Sequence, residues 1–487
     1  ALVRSLFAAA GRPFWYDELL TQTVAGLGSW QRIMEALRLP ADGQPPLFYV
    51  IEHFASKICA NQQIALRLPA AAGLMVTLIC VFVYAKRSRG GAIALLCSAA
   101  LMLTCVFQSY AEEARPYSMV LALIAFAMVC YQRSGAAVWV ALFGVSLALA
   151  GALHYLAVLA MVPFGVAELF ESWRIGKMRW GVWAALVFGA LPLGWFWNLL
   201  QLNKAYYGAH HYYGHYSFSS IPGMYAELLG VTTYFGGAIG VAVLAAIGSE
   251  LLLKRREKSE ESGAKNEASE AVLLIGFTAL PFFAFLFTKA THSAMTSRYI
   301  LATVLGLVFG AGFSMRNSAR KPLIVAAVFI LAGVGISELR FWKFESGDRQ
   351  MVANRRSDTV ALFARAGHSD LPVVVPNAGT LLGVVYYAFP DEPQRFVYLQ
   401  SDGTEKDADE KNTAEKGLMQ IQRYVGIRVP PKREFFAENS KFLVYVEGAN
   451  LGRGEVTAAL LDAGWTVKLV GYDGFRGLFL VSRGAGG

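Results

Sequence analysis

Asp17 and Glu18 stand together in the stretch FWYDELL, and the only other Asp before Asp348 is Asp42. A carboxylate with so few companions in a largely apolar chain is a candidate general base. Candidate cations follow: Arg115 in EEARPY (Glu112 to Tyr117), and Arg298 in the pair Arg298-Tyr299. A guanidinium stays charged and can hold two phosphate oxygens at once. Gln44 opens QPPLFY, His154-Tyr155 adds an imidazole, and KAYYGAHHYYGHYSF (Lys204 to Phe218) supplies rings that could stack on a sugar or gate a site. Asp17, Glu112 and Glu113 together would offer hard oxygen ligands to a divalent metal. The two glutamates would equally serve as ion-pair partners of Arg115 or Arg298. A base, positive charge for a departing phosphate and a slot for a lipid tail are what transfer from a lipid-phosphate-linked sugar requires.

Each residue also has a plainer use. An Asp ahead of LLTQTV suits a helix N-cap, and Glu18 suits either support of its neighbour or a solvated surface. Arg115 at a membrane boundary suits snorkelling, and a lone His at a helix end suits a structural hydrogen bond.

The elements that must position these groups are apolar helices. Hydrophobic residues make up 55% of the chain and charged residues 16%, with a mean hydropathy of +0.42. That is more apolar surface than a water-soluble fold of this length can hide, so a bilayer is the expected solvent. Ten spans are predicted, near 66–85, 90–109, 115–132, 136–153, 156–170, 181–199, 224–253, 271–289, 298–315 and 321–338. The net charge of +9 is no sign of nucleic-acid binding. Its clusters (Lys86, Arg87, Arg89; Arg133; Arg174, Lys177, Arg179; Lys254 to Lys258; Arg316, Arg320, Lys321) fall in every second connection, which by the positive-inside rule faces the cytoplasm. The alternate connections hold Asp17, Gln44, Glu112 to Tyr117, His154, the loop 200–222 and the loop 290–298, all on the outer side. One more span is expected before Ala1.

Three domains are predicted. Residues 1–65 read as a first outer loop with amphipathic helices. Leu27, Trp30, Ile33, Met34 and Leu37 recur at helical spacing, for a helix either in the membrane interface or packed on a soluble domain. Residues 66–338 read as the transmembrane domain. Residues 339–487 read as a small soluble α/β domain with β-like runs near 373–376, 384–389, 395–399 and 441–446 and in WTVKLV and LFLVS. Helices are expected near 352–366 and 454–463, and a solvated charged loop at 402–416. Pro45-Pro46 are expected to end a helix and stiffen the backbone beside Gln44 and Tyr49, and Pro69 to fall in the first turn of a span. EESGAKNEASE reads as a flexible cytoplasmic loop. The five cysteines, Cys59 in the first loop and Cys80, Cys97, Cys105 and Cys130 in spans, give no disulfide or zinc framework.

Taken in order, aromatic-Asp17-Glu18, Asp42-Gly-Gln44-Pro-Pro-Leu-Phe-Tyr, Arg67-Leu-Pro, Glu113-Ala-Arg-Pro-Tyr117, His154-Tyr155 and Arg298-Tyr299 resemble the GT-C glycosyltransferases. The nearest branch is the protein-mannosyltransferase-like group that includes bacterial aminoarabinose transferases. The resemblance spans roughly residues 14–315. It implies a polyprenyl-phosphate-linked donor, an extracytoplasmic site in a bacterial inner membrane, inversion at the anomeric carbon, and the first-loop Asp, here Asp17, as base. The acceptor would be a cell-envelope glycan, a glycolipid or a protein. The chain departs from the pattern in carrying Gln44 where similar sequences commonly have His, and in doubling Glu112-Glu113 where the family has one acid. Two other classes compete. A lipid-linked-sugar transporter or flippase predicts ionisable residues deep within spans, whereas these sit mostly at span ends. A non-catalytic membrane scaffold predicts that Asp17 is dispensable.

Overall fold

A computed structural model describes residues 2–207, 217–256, 262–291, 295–314, 320–400, 408–448 and 460–483. The helices begin with α1 (Leu2–Gly11), α2 (Tyr16–Ala25), α3 (Trp30–Arg38), α4 (Pro46–Ala55), α5 (Gln62–Arg89), α6 (Gly91–Leu101) and α7 (Cys105–Gln108). Then come α8 (Tyr117–Tyr131), α9 (Ala137–Leu153), α10 (Met161–Ile175), α11 (Trp180–Trp195), α12 (Trp197–Tyr207), α13 (Ile221–Leu229) and α14 (Thr233–Arg256). The last are α15 (Ser262–Thr278), α16 (Leu280–Thr291), α17 (Thr303–Ser314), α18 (Arg320–Ala366), α19 (Ala378–Tyr387), α20 (Ala408–Val425) and α21 (Lys432–Glu438). The chain divides into a helical unit (Ala1–Ala10, Gln44–Gln201, Tyr213–Lys343) and a second unit (Gly11–Gly43, Leu202–Tyr212, Phe344–Gly487).

In the helical unit, each predicted span falls on apolar helix. Among the described residues three helical stretches (62–89, 155–175 and 324–343) are long and apolar enough to cross a membrane alone, or six if each bent pair is one span. The bent pairs are 91–101 with 105–112, 180–195 with 197–207, and 267–278 with 280–291. The other four predicted spans correspond to shorter apolar helices, 117–131, 137–153, 236–248 and 303–312. The Asn61 side chain accepts from Ile64 N–H at 3.1 Å to start α5, and Gly90 stops it with φ at +87° after a last turn carrying Lys86, Arg87 and Arg89. Pro69 lies well inside α5, as its eighth residue, because the helix begins at Gln62 and not at the arginine. Helices meet closely where a glycine stands. A Cβ on Gly73 would lie 2.8 Å from the Ser118–Met119 backbone of α8, and one on Gly189 2.7 Å from Leu147 of α9. Small residues at such crossings allow backbones to approach in a bilayer.

One end of this unit is tied by paired charges. Arg179 Nε donates to Glu168 Oε1 at 2.9 Å, Tyr131 and Ser172 hydroxyls donate to the same carboxylate, and Arg179 Nη1 donates to Ser134 at 3.0 Å. Arg89 pairs with Glu270 at 3.3 Å, and Arg174 with Glu171 at 2.6 Å. These arginines belong to the clusters read as cytoplasmic. EESGAKNEASE is helical from Ser262 onward, a correction to its reading as loop, and residues 257–261 lie outside the described residues.

The second unit is built on a five-stranded mixed sheet of order β2-β1-β3-β5-β4, with β1 Val373–Val374, β2 Phe396–Val397, β3 Lys441–Glu447, β4 Trp465–Tyr472 and β5 Arg476–Arg483. β1 runs parallel to β2 and β3, while β5 is antiparallel to both β3 and β4. One face packs Phe435, Phe442 and Trp465; Phe363 stacks among Phe389, Phe396 and Tyr445. The run VVYYAF at 384–389 is helical up to Tyr387, not a strand: Asn377 caps α19 by accepting from Thr380 N–H at 2.9 Å. The expected charged loop 402–416 is helix α20 from Ala408 onward, and most of the predicted 454–463 helix lies outside the described residues. Ile33 and Leu37 of α3 are buried and α3 belongs to this unit, so its apolar face is a packed one.

Candidate functional site

At the end of the helical unit opposite the charge knot, α8 and η-turn segments bring four of the sequence candidates together. Tyr117 is the first residue of α8, placed directly after Pro116. His154 closes α9, and Arg298 and Tyr299 lie in the 3-10 turn Ser297–Ile300. Ring centroids are 5.6 Å apart for Tyr117 and His154, 5.2 Å for His154 and Tyr299, and 6.5 Å for Tyr117 and Tyr299. The Arg298 guanidinium lies 5.8 Å from the Tyr117 ring centre and 5.6 Å from that of Tyr299, within cation–π range. Its Nε donates to Thr296 Oγ1 at 3.2 Å. These four side chains line one part of a narrow pocket of about 20 Å³, and Val120, Ile124, Leu159 and Leu280 contribute apolar wall.

His154 has a structural job as well. It lies between α9 and the next apolar stretch, and its Nδ1 accepts from Leu156 N–H at 3.2 Å, capping the turn Tyr155–Ala160. Burial, followed by the positive charges of Arg115 and Arg298, pushes its pKa down to about 3. The imidazole is therefore neutral at physiological pH, with Nε2 left as the donor.

The acidic segment has a different arrangement from the one expected. Glu112 ends the 3-10 turn Tyr110–Glu112 and is buried, with Oε1 3.8 Å from Arg4 Nε of α1. Arg4 also donates from Nη1 to Glu338 Oε1 at 3.0 Å, and its guanidinium sits between the rings of Phe107 and Phe341 at 4.6 and 4.2 Å. Arg115 N–H donates to the Glu113 carbonyl at 2.8 Å, and the Arg115 residue is buried. Among the described residues no group of three or more His, Cys, Asp or Glu is placed to hold a metal ion.

Asp17 and Glu18 lie in the second unit. Trp15 is the N-cap of α2, so Asp17, second in the helix and half-buried, is not the cap. Glu18 takes the capping role: it is fully buried and its Oε2 accepts from Trp15 N–H at 3.2 Å, which removes the solvated-surface reading. Gln44 is buried just ahead of Pro45, the N-cap of α4, and Pro46 is that helix's first residue. The proline pair therefore starts a helix instead of ending one. Of the aromatic stretch Lys204 to Phe218, residues 208–216 lie outside the described residues, as do 292–294 of the outer loop 290–298.

Sequence reasoning passed over Arg4 and Glu52. Both are buried, Glu52 completely, and each is a single charge in an otherwise apolar helix, which is the signal that could have found them.

No family model matches the chain, and no curated protein matches it. Its fold is nonetheless shared with solved structures, among them those of ArnT from Cupriavidus metallidurans. The apo-state crystal structure is matched at a TM-score of 0.59 with 11% identity over 99% of this chain and 96% of that one. The crystal structure of ArnT bound to undecaprenyl phosphate is matched at 0.58 with 12% identity over 98% and 96%. At this identity what is shared is the fold.

Proposed function

We propose that this protein moves a sugar from a polyprenyl-phosphate carrier to an acceptor at the outer face of a bacterial inner membrane. The observation that carries the reading is the lining of the narrow pocket at one end of the helical unit, apolar along its walls and completed by Tyr117, His154, Arg298 and Tyr299. A phosphate on an isoprenoid tail has that dual character. The shared fold with ArnT, one of whose structures holds undecaprenyl phosphate, supports the same donor class.

Asp17 takes the acceptor proton as the acceptor oxygen or nitrogen attacks the anomeric carbon from the face opposite the phosphate, with inversion. The bond between that carbon and the phosphate oxygen breaks, and polyprenyl phosphate leaves with the electron pair. Arg115 and Arg298 stabilise the charge gathering on it. His154, neutral, donates from Nε2 without adding charge.

The test is release of polyprenyl phosphate from a panel of polyprenyl-phosphate sugars by protein in lipid, with an acceptor extract supplied. Turnover of one donor, lost in Asp17→Asn and reduced about 10²–10³-fold in Arg298→Ala, is expected. Wild-type rates in Asp17→Asn remove Asp17 as the base, and no turnover of any donor by folded protein removes the transferase reading. A chelator run in parallel reads metal dependence independently.

A further inference from the structure

The C-terminal part of the chain carries no motif that assigns it a task, yet it is built around the residues flanking Asp17. Tyr16 OH donates to the Ala414 carbonyl of α20 at 2.8 Å. On the other flank Phe14 N–H donates to Tyr387 OH of α19 at 2.7 Å. Gly379 of α19 also faces Tyr16, where a Cβ would lie 3.6 Å from the Tyr16 Cβ. Glu18 closes the same turn on Trp15. Residues 14 to 18 are thus fixed from two sides, by partners nearly 400 residues away in sequence but in the same unit.

Gly417 is the sharpest element of this fit. It lies inside the 18-residue helix α20, where glycine weakens a helix and alanine strengthens it. A Cβ there would stand 2.4 Å from the Tyr16 phenol oxygen, roughly 1 Å inside ordinary contact. α20 is itself held from its other neighbour: Tyr206 OH donates to the Lys416 carbonyl at 3.0 Å, and Lys416 Nζ donates to the Tyr206 carbonyl at 2.8 Å. The helix cannot easily slide away to make room.

We propose that α20, through the bare Gly417 surface and the Tyr16 phenol, positions Asp17 for its work as base, and that Tyr16 and Gly417 are positioning residues. This rests on the reading of Asp17 as the base. It gives the second unit a role in the chemical step: it sets the place and direction of the first turn of α2, while donor binding belongs to the helical unit.

The experiment compares kcat and KM for the donor in Gly417→Ala, Tyr16→Phe and the double variant, with Asp17→Asn in parallel and a thermal melt on each. Gly417→Ala is expected to lower kcat by ~10- to 100-fold, the scale of a 1 Å misplacement, while donor KM stays within about twofold because the helical unit is unchanged. Tyr16→Phe lowers kcat by less, since the ring remains. In the double variant the phenol oxygen that meets the new Cβ is gone, so kcat recovers to the Tyr16→Phe level. That rescue is a readout which general loss of fold would not give. Wild-type kcat in Gly417→Ala, or a double variant no faster than Gly417→Ala, overturns the proposal while leaving the base assignment intact. Activity in Asp17→Asn overturns both.

Discussion

Replacing Arg4 by methionine should expose how much the site loop depends on one buried cation. The Arg4 side chain is 7% exposed and that of Glu112 0%, with 3.8 Å between Nε and Oε1. At an effective dielectric constant near 20, two unit charges at that distance attract by about 4 kcal/mol. Glu338 is closer, 3.0 Å, but its side chain is 30% exposed and water screens it, so its share is smaller. Methionine keeps apolar atoms between Phe107 and Phe341 and removes the positive charge that faces Glu112 Oε1. Losing one partner of a buried pair typically costs about 3–5 kcal/mol. The expected destabilisation of Arg4→Met is therefore roughly 3–5 kcal/mol, and Glu112→Gln made together with it should return most of that loss, because the buried carboxylate that faced the arginine is then neutral. A reversible unfolding titration in mixed micelles measures all four members of the cycle. An Arg4→Met variant within about 1 kcal/mol of wild type, or a strictly additive double variant, would refute the idea that this pair holds the turn ahead of Arg115.

Three further outcomes follow from other contacts. The folded pKa of His154 is pushed to about 3, below the unfolded value, so the stability its neutral form contributes is present above about pH 6.5 and is lost as pH falls toward 3. A labelled-imidazole resonance titration should show no inflection for His154 between pH 5 and 8, and one appearing there contradicts the burial argument. Gly73→Ala drives a methyl to 2.8 Å from the Ser118–Met119 backbone, next to Tyr117, so α5 and α8 must part; a cost of about 1–3 kcal/mol and a raised donor KM are expected, and unchanged values for both count against that close crossing. At the charge knot the two partners differ in exposure, Glu168 at 0% and Arg179 at 28%. Arg179→Met should thus destabilise more than Glu168→Gln in the same unfolding titration, since water can reach the arginine but not the carboxylate; the reverse order is the disconfirming result.

The apolar runs located the helices because spans must satisfy their own backbone and present apolar side chains all round, a pattern that needs no knowledge of neighbours. Strands β3, β4 and β5 were legible for the same local reason. Where the reading failed, a distant or competing contact had decided. VVYYAF has strand-like residues, yet Asn377 and the packing of Leu381 and Val385 draw it into a helix. Glu18 beside Asp17 read as a second acid, and only the structure shows its carboxylate turned back on Trp15 N–H. Gly417 has no local signature at all, since the oxygen that excludes a side chain there belongs to Tyr16.

The two ends of the helical unit show why residue type alone could not separate site from scaffold. Arg179 and Arg298 both lie at helix ends among aromatic rings and look alike in sequence. Arg179 is spent on Glu168, with Tyr131, Ser134 and Ser172 completing the network, so its charge is answered within the protein. Arg298 is placed by two tyrosine rings and a threonine hydroxyl, beside a histidine held neutral first by burial and then by the charges of Arg115 and Arg298. What separates the two ends is the company each arginine keeps, a buried carboxylate and hydroxyls at one, tyrosine rings and a threonine hydroxyl beside a narrow apolar-walled pocket at the other, and it is the second setting that the proposed transfer from a lipid-phosphate carrier would use.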